Sequence, residues 1–275
     1  MTPKVCVVTG ASDGIGKEIA RGLAAGGAYV ILACRNLARA EVARDDIAAT
    51  TGSVSLEIRQ VDFAAPASIR AFVAEIAEAH PRIDVLVNNA GMWSPTRRTT
   101  AEGVELTWAT NMLGYFLTTA LLLPRLAASV PARIVSVASN LAYGLDLGDV
   151  GFERRDYEGV AAYAQSKQAN RMWTWALARR LRGTGVTANA LHPGGVSTGI
   201  FRKGGGVLGW LAHAATAVTG RSARQGADTA VWLAASADVE GRSGLYFTDR
   251  AEIRCEFRDE PQEELLWALC ERMVG

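Results

Sequence analysis

The chain has 275 residues, and 49% of them are apolar, which is enough to form the full core of one large α/β domain. Its formal net charge is +1 at pH 7 and no run of like charges exceeds a few residues, so nucleic acid and anionic membrane surfaces are not indicated as partners. Four scattered cysteines without a C-x-x-C pair fit neither a zinc site nor a disulfide scaffold, and we therefore expect no metal and reduced thiols in a cytoplasmic protein.

The N-terminus and the apolar runs give no sign of export or membrane insertion. The sequence reaches glycine too soon after Met1 for the apolar region of a signal peptide. The longest apolar runs, Tyr115 to Leu123 and Val207 to Val218, are too short for a membrane span or are interrupted by polar residues. We therefore expect no membrane span and a small-molecule partner.

A strand, a glycine-rich loop and a helix open the chain in immediate succession. Val5 to Thr9 is a buried-strand pattern, and the helix is predicted from Lys17 to Gly26. Glycines between them let the backbone approach a phosphate, whose charge then lies at the positive end of the helix. A glycine-rich turn without a ligand remains the alternative. The candidate cofactor contacts in this loop are Gly10, Ser12, Asp13, Gly14, Ile15 and Gly16.

The end of the second predicted strand, Ala28 to Ala33, bears on which cofactor binds. A carboxylate there would bind the ribose hydroxyls of NAD, but the sequence continues Cys34-Arg35-Asn36. The guanidinium of Arg35 suits a 2′-phosphate. The sequence therefore favours NADP(H), with Arg35 and Asn36 as candidate contacts, unless Arg35 is merely a solvated loop residue.

Helices and strands then alternate, which predicts an α/β fold with a doubly wound parallel sheet and helices on both faces. The predicted series is helix Leu37 to Thr50, strand Val54 to Val61, helix Ser68 to Ala79 and strand Ile83 to Val87. Asp62 follows the third strand at the carboxyl edge, where it could accept a hydrogen bond from an adenine amino group, and Phe63 beside it is a further candidate contact.

The fourth strand is followed by Asn88-Asn89-Ala90-Gly91. These carboxamides either tie neighbouring strands together or line the cofactor cleft, and Asn89, Ala90 and Gly91 are candidate cofactor contacts. A long helix is predicted from Val104 to Leu126, with Asn111 on an apolar face. A buried asparagine needs hydrogen-bond partners, so Asn111 is either structural or part of a polar relay.

Two hydroxyls and an amine follow in the second half of the chain. Ser139 lies just past a fifth strand, Arg133 to Val137, and an irregular segment from Asp146 to Glu158 reads as a surface excursion. Tyr163 and Lys167 are four residues apart, so on a helix they share one face. A nearby cation favours the ionised form of a phenol, which makes the pair a candidate acid, although an ordinary surface pair has the same spacing.

The last third completes a single domain covering residues 1–275. A sixth strand, Val186 to Leu191, ends at His192-Pro193-Gly194-Gly195. Phe201 to Thr219 is apolar and punctuated by glycines, which indicates either a substrate lid at about 199–221 or an ordinary core helix. The remaining predicted elements are helix Ala223 to Ala235, strand Gly244 to Phe247 and helix Glu260 to Met273.

Together these motifs resemble the short-chain dehydrogenase/reductase family, in its order and over nearly the whole chain. The residues that carry the resemblance are Thr9-Gly10-x-x-x-Gly14-Ile15-Gly16, Asp62, Asn88-Asn89-Ala90-Gly91, Asn111, Ser139, Tyr163-x-x-x-Lys167 and Pro193-Gly194. The excursion and three further segments make the chain most similar to the retinol-dehydrogenase-like branch. Those segments are Ala33-Cys34-Arg35-Asn36, Arg224-Gln225-Gly226-Ala227 and Gly244-Leu245-Tyr246-Phe247.

The resemblance implies a Rossmann-type fold and a role for each candidate. It makes Tyr163 the general acid/base and Ser139 the group that orients the substrate oxygen. It also implies that Lys167 lowers the pKa of the tyrosine and binds the nicotinamide ribose, and that Asn111 supports a water-linked proton relay. The residues implied at the nicotinamide are Pro193, Gly194, Val196 and Thr198. Ser139 and Tyr163 are 24 residues apart, so their proximity requires the excursion to loop out.

The expected function is NADP(H)-dependent hydride transfer between the nicotinamide and a carbonyl or alcohol group of a bulky hydrophobic substrate. Apolar residues near the predicted cleft motivate the substrate class: Met92, Trp93, Leu141, Tyr143, Phe201 and Trp210. The alternative is a catalytically silent NADP(H)-binding sensor or scaffold. A homodimer or homotetramer is also expected, with Trp173 or Trp175 either at a subunit interface or buried within its own chain.

Overall fold

Eight strands form one sheet in the computed structural model, which describes residues 3–195 and 220–275. The strand order is β3-β2-β1-β4-β5-β6-β7-β8, and every neighbouring pair is parallel except β7 and β8. The strands are β1 Val5–Thr9, β2 Tyr29–Cys34, β3 Leu56–Gln60, β4 Val85–Asn88, β5 Ala132–Val137, β6 Val186–Leu191, β7 Tyr246–Thr248 and β8 Ala251–Glu252. The predicted doubly wound, Rossmann-type sheet of a single domain is confirmed.

Helices cover both faces of the sheet. The described helices are α1 Gly14–Ala25, α2 Leu37–Thr51, α3 Pro66–Ala79, α4 Leu106–Trp108, α5 Gly114–Ala127, α6 Gly159–Arg180, α7 Ala223–Ala235 and α8 Glu260–Val274. Alternate strand side chains divide between two cores, as the period of two in a strand requires. Cys6 and Val8 pack with α1, α2 and α7, whereas Val7 packs with α3, α5, α6 and α8.

The ends of several strands differ from the sequence prediction by one or two residues. β3 is shorter than predicted because Val54 lies outside the sheet and is 96% exposed. β8, which was not predicted, has only two residues, too few to show an alternating pattern. The predicted lid at 199–221, apart from Gly220 and Arg221, and the candidates Val196 and Thr198 lie outside the described residues.

A turn of π-helix, Ala109–Leu113, interrupts the long helix predicted from Val104 to Leu126. It contains Asn111, whose main-chain carbonyl accepts a hydrogen bond from Asn170 Nδ2 at 2.8 Å. A donor from a neighbouring helix thus satisfies a carbonyl in the turn, and π-helical turns of this kind often occur at functional sites. Helical periodicity cannot reveal such a turn, because it depends on a residue far away in the sequence.

One stretch of the described chain, Leu106–Ala127, is long and apolar enough to span a membrane, and 72% of its most apolar window is buried inside the protein. That burial is typical of a core helix.

The tryptophans of α6 are also buried within their own chain. Trp173 packs against Phe116, and Trp175 lies edge-on to Tyr246.

The carboxyl ends of the parallel strands place the predicted site residues along one edge of the sheet. The chain runs from β1 outward to β3 and then returns to β4 on the other side of β1. Such a reversal of strand order opens a crevice at the strand ends, which is where ligands bind in sheets of this type. Gly10, Asn89 and Ser139 follow β1, β4 and β5 at this edge.

The turn after β1 packs tightly against the turn after β4. Gly10 has a φ of +69°, and a Cβ on it would lie 2.9 Å from Ala90 Cα. A Cβ on Gly16 would overlap with Gly10 O and Asn89 Nδ2. Glycine is therefore required at both positions for the first turn of α1 to approach the end of β4.

We expect Gly16→Ala to lower the free energy of unfolding by about 1–3 kcal/mol, because the added methyl group forces backbone atoms apart. The measurement is urea-induced unfolding followed by circular dichroism. Gly151→Ala is the matched control, since a Cβ on Gly151 meets only side-chain atoms of Glu153, at ordinary contact distance. We expect it to stay within about 0.5 kcal/mol of the wild type. Equal losses in the two variants would contradict the tight packing.

Candidate active site

The glycine loop presents the first turn of α1 to the crevice. Asp13 is the N-cap of α1, and its carboxylate accepts a hydrogen bond from Gly14 N at 2.8 Å. Its other oxygen pairs with Arg39 at 2.5 Å. Ser12 bonds to the Cys34 thiol, whose pKa burial raises to about 11, and Ile15 packs on the core. Loop backbone and glycines therefore line the crevice, while these side chains hold the loop in place.

The second and third strands end in a pair of opposite charges. Arg35 is 74% exposed, and its Nη1 lies 3.8 Å from Asp62 Oδ2. Asp62 also accepts a hydrogen bond from Ala64 N at 3.0 Å. An exposed guanidinium with one long contact is free to bind an anion. The two candidates are therefore brought together at the edge where an adenosine would lie.

Asn36 and Phe63, also predicted as contacts, have structural roles for their side chains. Asn36 caps α2 by accepting a hydrogen bond from Arg39 N at 2.9 Å. Phe63 is buried and lies edge-on to Phe72, with ring centroids 6.4 Å apart. Both side chains therefore support the fold, and the predicted cofactor contacts at Asn36 and Phe63 stay predictions.

Thr9 joins the ends of β1 and β4, a role that sequence reasoning did not assign. Its hydroxyl accepts hydrogen bonds from Asn89 N at 2.8 Å and Ala90 N at 2.9 Å. Asn89 Nδ2 donates in return to Thr9 O at 2.8 Å, and Asn88 Nδ2 donates to Thr119. Of the two predicted roles, the Asn89 carboxamide fulfils the strand-tying one, whereas the Asn88 carboxamide joins β4 to α5.

Ser139 and Tyr163 are adjacent, as the sequence predicts. The serine hydroxyl bonds to the phenol of Tyr163, and the serine oxygen also accepts a hydrogen bond from Leu141 N at 3.0 Å. Tyr163 is only 7% exposed. Burial raises the pKa of its phenol above the ordinary value, and the bond from Ser139 lowers it in part. The phenol therefore holds its proton at neutral pH.

The excursion between the two residues loops out and is attached to α6. Gln165, fully buried, donates to Val150 O at 2.8 Å and accepts a hydrogen bond from Arg155 Nη2 at 2.6 Å. The Asp149 carboxylate accepts hydrogen bonds from the next turn of backbone and has its pKa held below the ordinary value by them. These contacts hold the excursion away from Ser139, so that the serine can approach Tyr163.

Lys167 lies behind the phenol and out of contact with water. It is 3% exposed, and its Nζ donates to Val137 O at 3.0 Å. The same carbonyl accepts a hydrogen bond from the phenol of Tyr115 at 3.2 Å. Nζ lies 5.2 Å from the ring centroid of Tyr115 and 5.8 Å from that of Tyr163. Burial lowers the pKa of Lys167 to about 7.

The causes that shift the pKa of Tyr163 differ from the expectation that Lys167 lowers it. Ser139 is the group that lowers the phenol's pKa in this structure, and burial outweighs it. The Lys167 ammonium donates to a main-chain carbonyl rather than to the phenol. The lowering of the Tyr163 pKa by Lys167 stays a prediction.

Asn111 makes all the hydrogen bonds that its buried side chain needs. Its Oδ1 accepts from Met92 N at 2.8 Å, and its Nδ2 donates to Met92 O and to Ser166 Oγ, both at 3.0 Å. A Cβ on Gly91 would lie 3.6 Å from Asn111 Oδ1 and 3.7 Å from Lys167 Nζ. Both polar atoms thus border one small space above Gly91. Ser166 and Asn170, one turn apart on α6, are partners that the sequence did not single out.

The end of β6 supplies the next candidates along this edge. Gly194 N donates to His192 Nδ1 at 3.2 Å, and Gly194 has a φ of +78°. A Cβ on Gly194 would lie 3.0 Å from the guanidinium of Arg221, which pairs with Asp249. Burial is the main cause that lowers the pKa of His192. Pro193 and Gly194 thus follow β6 at the carboxyl edge of the sheet, whereas Val196 and Thr198 lie outside the described residues.

Two hydrogen-bonded hydroxyls beside a buried amine can stabilise an oxygen that gains negative charge and then protonate it. The glycine loop, the exposed Arg35 and the space at Gly91 fit a dinucleotide phosphate along the same crevice. The residues present thus suit a nicotinamide cofactor.

Comparison with known proteins identifies the fold and its relatives. The family model for short chain dehydrogenases matches residues 4–205. Human retinol dehydrogenase 13 is 38% identical over 287 residues, which cover 99% of this chain and 85% of that protein. A crystal structure of an uncharacterized protein from Mycobacterium paratuberculosis has a TM-score of 0.79 at 29% identity, covering 98% of this chain and 93% of that one. The Pseudomonas aeruginosa RhlG/NADP active-site complex has a TM-score of 0.69 at 26% identity, covering 90% and 97%.

The burial of Lys167 predicts how stability depends on pH. The pKa of Lys167 is about 7 in the folded protein and 10.5 ordinarily, so between these values the unfolded chain binds the extra proton. The wild type should therefore gain up to about 1.4 kcal/mol of unfolding free energy per pH unit relative to Lys167→Met as pH rises above 7. Urea unfolding of both proteins across this interval measures the difference. Parallel curves would show that the amine stays protonated in the folded state.

Proposed function

Because the chain belongs to the short-chain dehydrogenase/reductase family, in its retinol-dehydrogenase-like branch, we propose that it is an NADP(H)-dependent oxidoreductase acting on a carbonyl or alcohol group. The observation that carries the proposal is the hydrogen bond between Ser139 and Tyr163, with Lys167 buried one helical turn further along α6. This group lies at the same sheet edge as the glycine loop. A hydride donor and a proton donor could therefore meet at one substrate.

The crevice offers a contact for each part of NADP(H). The backbone at Gly14 to Gly16 would hold the pyrophosphate, and Arg35 would bind the 2′-phosphate, with Asp62 beside the adenine. Lys167 would reach the nicotinamide ribose across the space at Gly91. Pro193 and Gly194 are proposed at the nicotinamide, together with Val196 and Thr198. When bound, the cofactor supplies or accepts the hydride.

The side chains of this protein donate or accept the proton of the reaction. In reduction, hydride transfer to the carbonyl carbon leaves negative charge on oxygen, which the hydroxyls of Ser139 and Tyr163 stabilise by donating hydrogen bonds. The phenol then gives its proton to that oxygen, and the product is an alcohol. Burial raises the pKa of Tyr163, which keeps the phenol protonated and suits this direction. In oxidation the same phenol, ionised, would accept the proton.

The substrate is proposed to be bulky and hydrophobic. Met92, Trp93 and Leu141 are partly exposed, and Tyr143 is 45% exposed. Of these, Leu141 is next to a catalytic hydroxyl, since its N donates to Ser139 Oγ at 3.0 Å. The matched relatives are named for retinol, a long apolar alcohol. Closure by a lid at 199–221, a cytoplasmic location and a homodimer or homotetramer remain predictions from the sequence. Nothing in the comparisons favours the silent sensor, and the described site retains all four predicted catalytic side chains.

We expect Tyr163→Phe to reduce kcat for carbonyl reduction by at least about 100-fold, because the proton donor is removed while the ring remains. NADPH consumption with a panel of apolar ketones and aldehydes measures the effect. Tyr29→Phe is the control: its phenol bonds to Glu57, far from the crevice, and its turnover should match the wild type. Near-normal turnover by Tyr163→Phe would refute the proposed acid.

Arg35→Asp should reverse the cofactor preference, since a carboxylate repels a 2′-phosphate and binds ribose hydroxyls. Loss of a hydrogen bond to a charged group costs about 1.5–3 kcal/mol, so kcat/KM with NADPH should fall roughly 10- to 100-fold. Arg44→Asp, which makes the same change of charge on α2, is the control. An unchanged ratio of kcat/KM for NADPH to that for NADH in Arg35→Asp would assign the 2′-phosphate to another residue.

A further inference from the structure

Arg171 is a buried cation on the same face of α6 as the catalytic residues. It follows Tyr163 and Lys167 at the same interval of four residues, so the three side chains are stacked along the helix. Arg171 is only 3% exposed. Arginine is almost never buried to this degree without partners, so its contacts should show what it does.

The guanidinium of Arg171 is directed at the backbone of the catalytic serine. Its Nη2 donates a hydrogen bond to Ser139 O, and the phenol of Tyr246 donates to the same carbonyl at 3.2 Å. The guanidinium carbon lies 4.3 Å from the ring centroid of Tyr246 and 5.1 Å from that of Phe257. Two aromatic rings and two donors thus fix one peptide group.

The arrangement repeats one at the carbonyl of Val137, two residues before Ser139. There, the Lys167 ammonium and the Tyr115 phenol both donate to Val137 O. Each of these two carbonyls at the end of β5 therefore receives a cation from α6 and a phenol from another element. The first pair places the amine behind Tyr163, and the second places the backbone of Ser139.

Stability alone gives a poor account of Arg171. Its nearest carboxylate oxygen among the described residues is Glu256 Oε1 at 3.5 Å, on a side chain that is 66% exposed. Its Nε has no hydrogen-bond partner in the described part of the chain. Replacing a buried ion pair by apolar residues of similar volume is often neutral or stabilising, so the burial of a charge is weak evidence for a role in stability.

We propose that Arg171, together with Tyr246, is a positioning residue that holds the Ser139 peptide so that the serine hydroxyl meets the phenol of Tyr163. The inference rests on the proposed function, because it gives Arg171 a task in the same reaction. Arg171 acts through Ser139 and contacts neither the phenol nor the crevice in the bonds described above.

The position of Ser139 also affects the acidity of the phenol. The Ser139 hydrogen bond lowers the pKa of Tyr163, so a displaced serine should let that pKa rise further. Among described residues, the titratable or charged groups facing Tyr163 are Lys167 on α6 and Tyr115 on α5. Those facing Arg171 are His192 after β6, Tyr246 on β7, and Cys255 and Glu256 after β8. None of the second set contacts the phenol in the bonds described.

The test compares Arg171→Met with Tyr246→Phe in the full-length protein with NADPH and an apolar ketone. Arg171→Met keeps the stem but removes the donors, and we expect kcat to fall roughly 10- to 100-fold, because misplacing a catalytic group by about 1 Å has effects of this size. Tyr246→Phe removes one hydroxyl only, so it should fold even if Arg171→Met does not, and kcat should fall less. At high pH, kcat/KM falls as Tyr163 ionises. In both variants this fall, the tyrosine limb of the pH profile, should shift to higher pH.

Combination with Ser139→Ala separates positioning from a general loss of stability. With the serine hydroxyl absent, Arg171→Met should change kcat by less than about threefold, because the two residues act through one bond. Arg180→Met is the control. This arginine is on α6, as Arg171 is, but it stacks on Trp267 and pairs with Glu264, both on α8, and it does not contact Ser139 in the bonds described. It should leave kcat and the pH profile unchanged.

The possible failures are distinct. Suppose that the wild type reduces a carbonyl but the losses of kcat from Arg171→Met and Ser139→Ala multiply in the double variant, or that the tyrosine limb of the pH profile does not move. The positioning role is then wrong and the proposed function stands. If the wild type turns over no carbonyl, the proposed function is wrong. The role of Arg171 is then decided by ultraviolet titration of the Tyr163 tyrosinate, taken as the difference from Tyr163→Phe. An unchanged Tyr163 pKa in Arg171→Met would overturn it.

Discussion

The site depends on keeping the amine of Lys167 and the phenol of Tyr163 out of water. Burial lowers the pKa of the first to about 7 and raises that of the second, so both are shifted towards their neutral forms. Hydrogen bonds to main-chain or hydroxyl oxygens then fix the two side chains. A nonaqueous environment of this kind strengthens the electrostatic interaction between the site and any charge that a substrate develops there. The fold contributes by covering both faces of the sheet with helices and by placing Ser139 after the carboxyl end of β5.

Local patterns were sufficient to predict the fold and the central pair. The alternation of buried strands with amphipathic helices determines a doubly wound sheet, since parallel strands need helical crossovers. A spacing of four residues places Tyr163 and Lys167 on one helix face, and Ser139 follows a strand on the edge where ligands bind. Because these relations involve a few neighbouring residues each, they can be read without knowledge of the packing.

Contacts between distant elements were beyond the reach of those patterns. The π-helical turn at Asn111 depends on a donor from Asn170, and the anchoring of Ser139 depends on Arg171 and Tyr246. A strand end and a helix face must first be packed together before such a bond exists. Arg171 could have been flagged by its spacing from Lys167, but a charged residue on a helix face is normally solvated. Asn36 and Phe63 were predicted as cofactor contacts, which stay predictions, but the sequence did not show that their side chains cap a helix and fill the core.

In the proposed function, this chain transfers a hydride between a nicotinamide and a carbon that bears oxygen, with the Ser139 and Tyr163 hydroxyls in place before the substrate arrives. The most direct measurement uses NADPH deuterated at the transferring carbon, with an apolar ketone and mass spectrometry of the product. The expected product is an alcohol with one deuterium on its carbinol carbon. NADPH binding without deuterium in any product, across aliphatic, aromatic and polyene carbonyls, would contradict it.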